Sequence, residues 1–385
     1  MSSSVWTVQP SSSPSAFQFL RSEGAANDVG RAHGEVFKDQ VRASVAACRR
    51  RVEEVLGLPW SEAMQFARDQ RTRLGELDAG LIAEMEGIAE GADLQPLDIV
   101  ALHVRTALSR MVERSRDAVM QSSDPMSDGL ECTTIAVVRA ATASGHTLAA
   151  QNWDMHASYQ PRVVLIEQHI EGEPALMFVT EAGMVFSHGM NDAGLVMLGN
   201  ALHSHLGGPP DHGIPVQVAR RRAMRTGSAA AARHELEVLD RAHSVNHLLA
   251  DTQGAAVDLE AVPGRIYDVV SDDGILVHTN HFVNQQALDQ RVELTTRVGN
   301  DSRRRAGRAG AFLRNRAGGI DVADLQELLR DHDGSPESVC RHHDASAPPT
   351  ASSTVSSTVF DPAAGRLWNA PGPSCVATPT MHEFS

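Results

Sequence analysis

A cysteine at the junction of a polar loop and a predicted strand is the residue best placed for nucleophilic chemistry. Residues 116–131 are polar and contain Asp-Pro and Asp-Gly pairs, which are typical of an exposed, mobile connection. Cys132 follows this loop and precedes residues 133–139, whose β-branched side chains predict a strand. Because it lies on no apolar helix stripe, the thiol is available to attack a carbonyl carbon.

Cleavage of the bond between Glu131 and Cys132 would give one residue both a thiol and an α-amino group. An α-amino group has a pKa of about 7.7–8.0, so a modest decrease leaves it neutral at working pH and able to accept the thiol proton. The thiol can first attack the preceding carbonyl and form a thioester that water opens. Thr133 and Thr134 supply hydroxyls that can position water or donate to the intermediate.

Taken alone, a Cys-Thr pair after a loop is more often structural than catalytic. An ordered set of motifs changes that balance. The motifs are Glu131-Cys132-Thr133-Thr134, Gln151-Asn152-Trp153-Asp154, Glu181-Ala182-Gly183, Gly189-Met190-Asn191, Gly213-Ile214-Pro215-Val216, Asp258-Leu259-Glu260, His278-Thr279-Asn280-His281 and Asp361 with Gly365-Arg366-Leu367-Trp368. From about Gly30 to the end, their order and spacing resemble the acyltransferase family of penicillin biosynthesis, the isopenicillin N N-acyltransferase family.

The resemblance implies an α+β fold, a four-layer αββα sandwich of the N-terminal-nucleophile (Ntn) hydrolase type. It also implies self-cleavage before the cysteine. The products would be a helical pro-segment, residues 1–131, and a catalytic chain, residues 132–385, which together form one composite domain. We expect the two chains to stay associated, and a homo-oligomer is compatible with the sequence.

The resemblance also assigns roles to individual residues. The family's nucleophile falls on Cys132, its Asn-Trp-Asp aspartate on Asp154 and its His-Thr-Asn-His asparagine on Asn280. We expect Asp154 to orient the α-amino group or bind a substrate amine, and Asn280 to donate N–H groups to an oxyanion. The structural alternatives are a strand-end cap for Asp154 and a turn residue for Asn280. Asn152 and Glu260 are candidates for supporting roles only.

Two positions depart from the family pattern. The penicillin enzyme has glycine before its cysteine, where this chain has Glu131, and a serine where this chain has Val262. Glycine gives a strained scissile bond more conformational freedom, so we expect cleavage here to be slower or differently supported. These departures argue against penicillin precursors as the substrate.

The elements that must position these residues follow from hydrophobic periodicity. Apolar residues at three- and four-residue steps predict a helix through Phe37, Val41, Val45, Cys48, Val52 and Leu56. Further helices are predicted near 61–75, 78–92, 96–115, 215–240, 302–316 and 321–331. Strands are predicted at 133–139, 146–153, 162–170 and 175–181, with hairpins turning at 251–254, 272–274 and 361–365.

Charged and metal-binding residue types suggest few further sites. The arginine cluster at 301–308 is predicted to form the solvated face of a helix. His278 and His281 are three apart in an extended segment, so we expect them to point to opposite faces and not to share a metal ion. His342 and His343 have no adjacent cysteine pair, and Cys340 and Cys375 are interpreted as structural. No metal and no cofactor is expected.

Composition restricts the class of protein. The 385 residues carry a net charge of -14, which argues against nucleic-acid binding because a phosphate backbone needs a basic surface. No apolar stretch approaches the roughly 20 residues of a membrane span, and the first residues lack the pattern of a secretory signal. The sequence therefore predicts a cytoplasmic protein with a small-molecule substrate and no membrane partner.

The leading hypothesis is an autoprocessed cysteine amidohydrolase or acyltransferase that acts on small N-acyl or peptide-like amides, including β-alanyl amines, through a thioester acyl-enzyme. Cys132, Asp154, Asn280 and Thr133 are its candidate catalytic residues. The alternatives are a non-catalytic binding protein that keeps the fold, and an acyl-CoA-dependent N-acyltransferase.

Overall fold

The structure is a computed structural model that describes residues 5–9, 17–117, 131–206, 213–294, 300–342 and 351–385. Most of the predicted loop before Cys132, residues 118–130, lies outside the described residues, as does His343. In the described part of the chain, no helix combines the length and the apolar character that crossing a membrane requires.

Five α-helices of the described N-terminal part precede the candidate nucleophile, and a π-helix at Arg51–Val55 follows the second of them. The five α-helices are α1 (Ala26–Val36), α2 (Lys38–Arg50), α3 (Trp60–Leu77), α4 (Ala79–Gly91) and α5 (Pro96–Asp117). The predicted apolar stripe is confirmed, because each of its six residues, from Phe37 to Leu56, is at most 8% exposed. The three helices predicted between 61 and 115 match α3, α4 and α5 to within a few residues.

The strands of the described residues form two sheets. The nine-stranded sheet has the order β1-β2-β5-β6-β7-β8-β9-β10-β11, and the six-stranded sheet has the order β12-β3-β4-β13-β14-β15. The strands of the first sheet are β1 (Val5–Gln9), β2 (Phe19–Gly24), β5 (Val163–Ile170), β6 (Leu176–Glu181), β7 (His188–Asn191), β8 (Leu195–Leu198), β9 (Val245–Asp251), β10 (Ala256–Val262) and β11 (Arg265–Val269). The strands of the second sheet are β12 (Ile275–His278), β3 (Glu131–Val137), β4 (Leu148–His156), β13 (Ser352–Asp361), β14 (Arg366–Pro371) and β15 (Thr380–Glu383).

The remaining helices are α6 (Val216–Ala223), α7 (Ala229–Glu237), α8 (Gln285–Asp289), α9 (Asn300–Arg314) and α10 (Val322–Leu328). The first two lie in the region predicted as helical near 215–240. The chain leaves α6 at Met224 and re-enters a helix after Ser228, whose hydroxyl caps α7 by accepting from the Ala231 N–H.

Buried side chains divide the molecule into four layers. In the first apolar cluster, the seven helices from α1 through α7 pack against one face of the nine-stranded sheet, the face on which Ile166 lies. A second cluster lies between the sheets and includes Leu165 and Ala136, and a third joins the six-stranded sheet to α9 and α10 through Ile135 and Leu313. Neighbouring residues of one strand enter different clusters because successive side chains point to opposite faces. The predicted αββα sandwich is therefore confirmed.

The hairpin predictions had mixed outcomes. The turns at 251–254 and 361–365 join the antiparallel pairs β9–β10 and β13–β14, as predicted. The hairpin predicted at 272–274 is wrong, because β11 pairs with β10 in one sheet while β12 pairs with β3 in the other. The turn residues are compatible with either outcome. The pairing was decided by the free edges that the two sheets offered.

The segments on either side of residue 131 share one sheet and one core. Strand β2 pairs in parallel with β5 from Phe19↔Leu165 to Gly24↔Ile170. The largest apolar cluster also contains residues from both segments, among them Val41 and Phe178. The N-terminal segment therefore contributes strands as well as helices, and the two segments form a continuous structure.

Four glycines allow α1 and α4 to pack with their backbones in close contact. A Cβ atom at Gly30 or Gly34 would lie 2.1 or 2.2 Å from a carbonyl oxygen of α4. At Gly87 or Gly91 it would lie 2.1 or 2.2 Å from a carbonyl oxygen of α1. Each helix carries its two glycines four residues apart, so they lie on the same face.

We expect Gly34→Ala to lower the free energy of unfolding by about 1–3 kcal/mol, because the new methyl group must push two backbones apart. Chemical denaturation followed by circular dichroism measures this change. Gly307→Ala in α9 is the matched control, since nothing lies within 4 Å of the position that its Cβ atom would occupy, and it should leave stability unchanged or raise it. Equal effects of the two substitutions would contradict the packing argument.

Candidate active site

Strand β3 presents alternate side chains to two different layers. Cys132 is only 4% exposed, and it lines a cavity on the side of the six-stranded sheet that faces the nine-stranded sheet. Thr133 is buried on the other side, toward α9. Its hydroxyl is therefore directed away from the cavity and accepts a hydrogen bond from Arg305 at 3.0 Å.

Arg305 is the central side chain of the site. One guanidinium nitrogen, Nη1, donates to the carbonyl oxygen of Cys132 at 2.6 Å, and Nη2 donates to Oδ1 of Asn280 at 3.0 Å. Nε donates to Asp301 at 3.2 Å, and the side chain is 1% exposed. The prediction of a solvated arginine face is therefore wrong for Arg305, although Arg303, Arg304 and Arg308 are exposed.

Asn280 lies in the turn after β12 and contacts the backbone of the candidate nucleophile. Its Oδ1 accepts the N–H of Cys132 at 2.9 Å, and its Nδ2 donates to the carbonyl oxygen of Ala201 at 3.1 Å. The hydroxyl of Ser302 accepts the Asn280 N–H at 2.9 Å. Glu260 supports the same turn by accepting the N–H of Asn284 at 3.2 Å. In the intact chain Asn280 thus fixes the nitrogen of the predicted scissile bond.

Asp154 and Glu131 are paired across β4 and β3, and both approach Arg341. Thr354 donates to Oδ1 of Asp154 at 2.6 Å, while Nε of Arg341 lies 3.7 Å from Oδ2. Arg341 also forms ion pairs with Glu131 and Asp301. The glutamate that replaces the family's glycine is therefore held by a cation, and Asp301 connects Arg341 to Arg305.

Burial has the largest influence on the pKa values of Cys132 and Asp154. It raises the pKa of the Cys132 thiol to about 12, and the Asp154 carboxyl adds to this increase. Burial also raises the pKa of Asp154 to about 7, although Arg341 and Arg305 oppose the change. In the intact chain the thiol is therefore protonated near neutral pH, so its attack on a carbonyl requires a proton acceptor.

The cavity in front of Cys132 has a volume of about 140 Å³. Its wall combines apolar side chains, among them Trp153, Tyr159 and Met184, with the guanidinium group of Arg220. Arg220 donates to the carbonyl oxygen of Ser187 at 3.0 Å, and burial lowers its pKa to about 10. The space suits a small acyl group whose polar end can face a cation.

A second charged group lies at the wall of the same cavity. Glu181 accepts hydrogen bonds from Arg105 at 2.6 Å and from Arg162 at 3.1 Å. The guanidinium carbon of Arg162 lies 4.3 Å from the centroid of the Tyr159 ring. This paired network holds Tyr159 in place without leaving an unpaired charge on the glutamate.

His278 and His281 do not point to opposite faces as predicted. Their rings are stacked with centroids 6.3 Å apart, because β12 ends at His278 and the chain turns immediately afterwards. Nε2 of His278 lies 3.1 Å from Glu260, so this histidine belongs to the support of the Asn280 turn.

Sequence reasoning missed two functional candidates, Arg305 and Arg341. Arg305 precedes Ala309 by four residues and Leu313 by eight, and both of these are fully buried. That spacing places the arginine on the buried stripe of α9 and was a usable signal. Arg341 lies in an irregular segment between α10 and β13, where no periodicity marks its position.

An αββα sandwich with a cysteine at the start of a central strand is the architecture of Ntn hydrolases. The family model described as "Acyl-coenzyme A:6-aminopenicillanic acid acyl-transferase" matches residues 141–372, more than half of the chain. The chain therefore belongs to this acyltransferase family, and it is an enzyme. The matched range includes Asp154 and Asn280 and begins after Cys132.

The individual proteins that are similar to this chain have low sequence identity to it. The chain is 26% identical over 341 residues to the 40 kDa form of acyl-coenzyme A:6-aminopenicillanic-acid-acyltransferase from Emericella nidulans, which covers 88% of each protein. Penicillin V acylase from Agrobacterium tumefaciens has a TM-score of 0.44 and 14% identity, covering 65% of this chain and 84% of that one. A variant of conjugated bile acid hydrolase from Clostridium perfringens has a TM-score of 0.44 and 13% identity, covering 66% and 97%.

The raised pKa of Asp154 predicts a pH-dependent stability. An unperturbed aspartate has a pKa of 3.8, whereas the pKa of Asp154 in the fold is about 7, so the folded chain holds an extra proton between these values. The stability that this proton supplies is present at low pH and is lost as the pH rises through about 7. In a Cys132→Ala background, Asp154→Asn should therefore become relatively more stable from pH 5 to pH 8, by up to about 2 kcal/mol.

Denaturant unfolding at the two pH values measures this difference. Asp192→Asn, at an exposed turn residue, is the control and should give the same difference from the parent at both. A pH-independent effect of Asp154→Asn would show that the carboxyl ionises normally in the folded chain.

Proposed function

We propose that the protein is synthesised as a precursor that cleaves itself between Glu131 and Cys132. Cys132 then acts as the nucleophile in hydrolysis or transfer of small acyl groups. The observation that carries this proposal is the environment of Cys132, which lines the cavity while Asn280 holds its nitrogen and Arg305 its carbonyl oxygen. Fixing both groups of the attacking residue lowers the entropy that an intramolecular reaction must lose.

Maturation proceeds through an exchange of nitrogen for sulfur. Sγ of Cys132 forms a bond to the carbonyl carbon of Glu131, the carbon–nitrogen bond breaks, and the thiol proton passes to the nitrogen that becomes the α-amino group. Water then hydrolyses the thioester, which gives a new α-carboxylate at Glu131 and a free thiol at Cys132. Arg341 stabilises the Glu131 side chain in this process through their ion pair.

Turnover uses the amino group that maturation creates. The neutral α-amino group accepts the thiol proton, and the thiolate attacks an amide or thioester carbonyl to give an acyl-enzyme. Asn280 donates to the oxyanion from Nδ2, which in the intact chain hydrogen-bonds to the carbonyl oxygen of Ala201, a residue that lines the cavity. Asp154 orients the amino group, and Thr133 orients Arg305. Water or an amine then takes the acyl group from Cys132.

The cavity supports a small acyl group as the transferred part of the substrate, since its volume is about 140 Å³. Small N-acyl amides and the matching acyl thioesters are therefore the substrates to screen, each with water alone and with added amine. Release of free acid indicates hydrolysis, and a new amide indicates transfer. The non-catalytic alternative has no support from the family, which consists of enzymes.

Intact mass spectrometry of the purified protein tests maturation. We expect the wild-type chain to give two fragments that join at Glu131/Cys132 and elute together in gel filtration, because β2 and β5 pair across the two segments. Cys132→Ala should give one full-length chain with no amidase activity. A wild-type protein that stays uncleaved while it hydrolyses amides would contradict the proposed role of the α-amino group.

The fork of hydrogen bonds from Arg305 predicts a second effect. Arg305→Lys keeps the charge but cannot hold Cys132, Thr133 and Asn280 together, so self-cleavage should slow about tenfold to hundredfold. The time course of fragment appearance on a denaturing gel measures the rate. Arg304→Lys, an exposed neighbour in the same helix, should cleave like the wild type, and equal rates for the two variants would exclude Arg305 from maturation.

A further inference from the structure

Four residues from two segments of the chain bring their ligand atoms together in one cluster. They are His332, Cys340, His342 and Cys375, and one ligand atom from each lies within 4.8 Å of those of the other three. The first three belong to the segment between α10 and β13, and Cys375 follows β14. The proposed reaction uses none of them.

The distances between the ligand atoms are close to the edges of a metal-centred tetrahedron. The two sulfur atoms are 3.5 Å apart, and Nε2 of His342 lies 3.6 Å from Cys340 Sγ and 3.1 Å from Cys375 Sγ. The Nε2 atoms of His332 and His342 are 2.9 Å apart. Tetrahedral zinc with bonds of about 2.0–2.3 Å gives ligand separations of about 3.3–3.8 Å. The 3.5 and 3.6 Å separations lie in this range, and the 3.1 and 2.9 Å separations are shorter. Two sulfurs and two nitrogens at this spacing form a Cys2His2 set.

A disulfide is the chemical alternative for the cysteine pair. Both cysteines are free thiols with sulfurs 3.5 Å apart, whereas a disulfide bond is about 2.05 Å long. A disulfide would also leave both histidine nitrogens without a role in the cluster. Thiolate and imidazole ligands together favour zinc over magnesium or calcium, which prefer oxygen.

The surrounding backbone holds the cluster in place. The N–H of Cys340 donates to the carbonyl oxygen of Asp331 at 2.9 Å, so the segment folds back beside His332. Asn152 donates to the carbonyl oxygen of Val339 at 2.8 Å, which ties the segment to β4. The four ligands therefore approach one another on a supported loop and not on a loose one.

The cluster adjoins the candidate active site. Cys340 and His342 flank Arg341, whose guanidinium group contacts Glu131, Asp154 and Asp301. An ion bound to both flanking residues would hold the backbone that directs Arg341 toward Glu131. It would also attach the end of the chain, through Cys375, to this segment.

We propose that His332, Cys340, His342 and Cys375 bind one structural Zn²⁺ ion, and that this ion holds the segment carrying Arg341 in place. The ion has four protein ligands and no open position, as structural zinc sites do. Each thiol releases its proton on binding, so the two thiolates balance the charge of the ion. The proposal is independent of self-cleavage.

The first experiment uses the full chain, purified without a metal-affinity tag and in the presence of a reductant. Elemental analysis by mass spectrometry should find about one zinc per chain, in the wild type and in Cys132→Ala alike. After removal of the metal with a chelator, Co²⁺ should restore one ion per chain with the visible absorption of tetrahedral, thiolate-bound cobalt. Metal-free wild type that binds neither Zn²⁺ nor Co²⁺ would overturn the proposal.

Variants then assign the ligands. Cys375→Ser and His332→Ala should each lower the zinc content and weaken Co²⁺ binding at least tenfold, whereas Cys48→Ala, at a free cysteine in α2, should keep one zinc. The cobalt spectrum of the wild type tests the proposal without any variant, so a variant that fails to fold does not weaken that test. A non-reduced wild-type mass lower by two hydrogens, without bound metal, would show a Cys340–Cys375 disulfide and also overturn the proposal.

Discussion

The buried guanidinium group of Arg305 is the interaction on which the site depends. It connects the backbone of Cys132, the hydroxyl of Thr133 and the amide of Asn280, and Asp301 balances its charge. A buried cation that lost these partners would be strongly destabilising, so the surrounding groups are constrained to stay in reach. One side chain from the outer helical layer thus aligns groups from β3 and from the turn after β12.

A second constraint is the low polarity around the thiol. Burial raises the pKa of Cys132 to about 12 and that of Asp154 to about 7, so both groups resist ionisation in the intact chain. An uncharged thiol needs a proton acceptor when it attacks a carbonyl: in the proposed self-cleavage the departing nitrogen takes this proton, and in turnover the new α-amino group takes it. The low polarity also explains why charges near the strand end occur in pairs with Arg341.

Much of the site was predictable from local sequence, and the rest depended on distant pairing. Cys132 and Asn280 were both expected at the site, and they meet because β12 pairs with β3. The burial of Arg305 was missed although its spacing to Leu313 indicated it, because an arginine cluster is usually solvated. Cys375 was interpreted without a partner, since the hairpin of β13 and β14 separates it from Cys340 by 35 residues.

The sequence by itself determined many of the helices and many of the strands that follow Cys132, because hydrophobic periodicity and turn residues act over a few neighbouring positions. It also determined which cysteine follows a polar loop. Only the tertiary structure decided that β11 and β12 join different sheets, that Arg305 reaches Cys132, and that two cysteines and two histidines converge. These outcomes depend on which edges and faces remain available once the layers pack, and that information is not local.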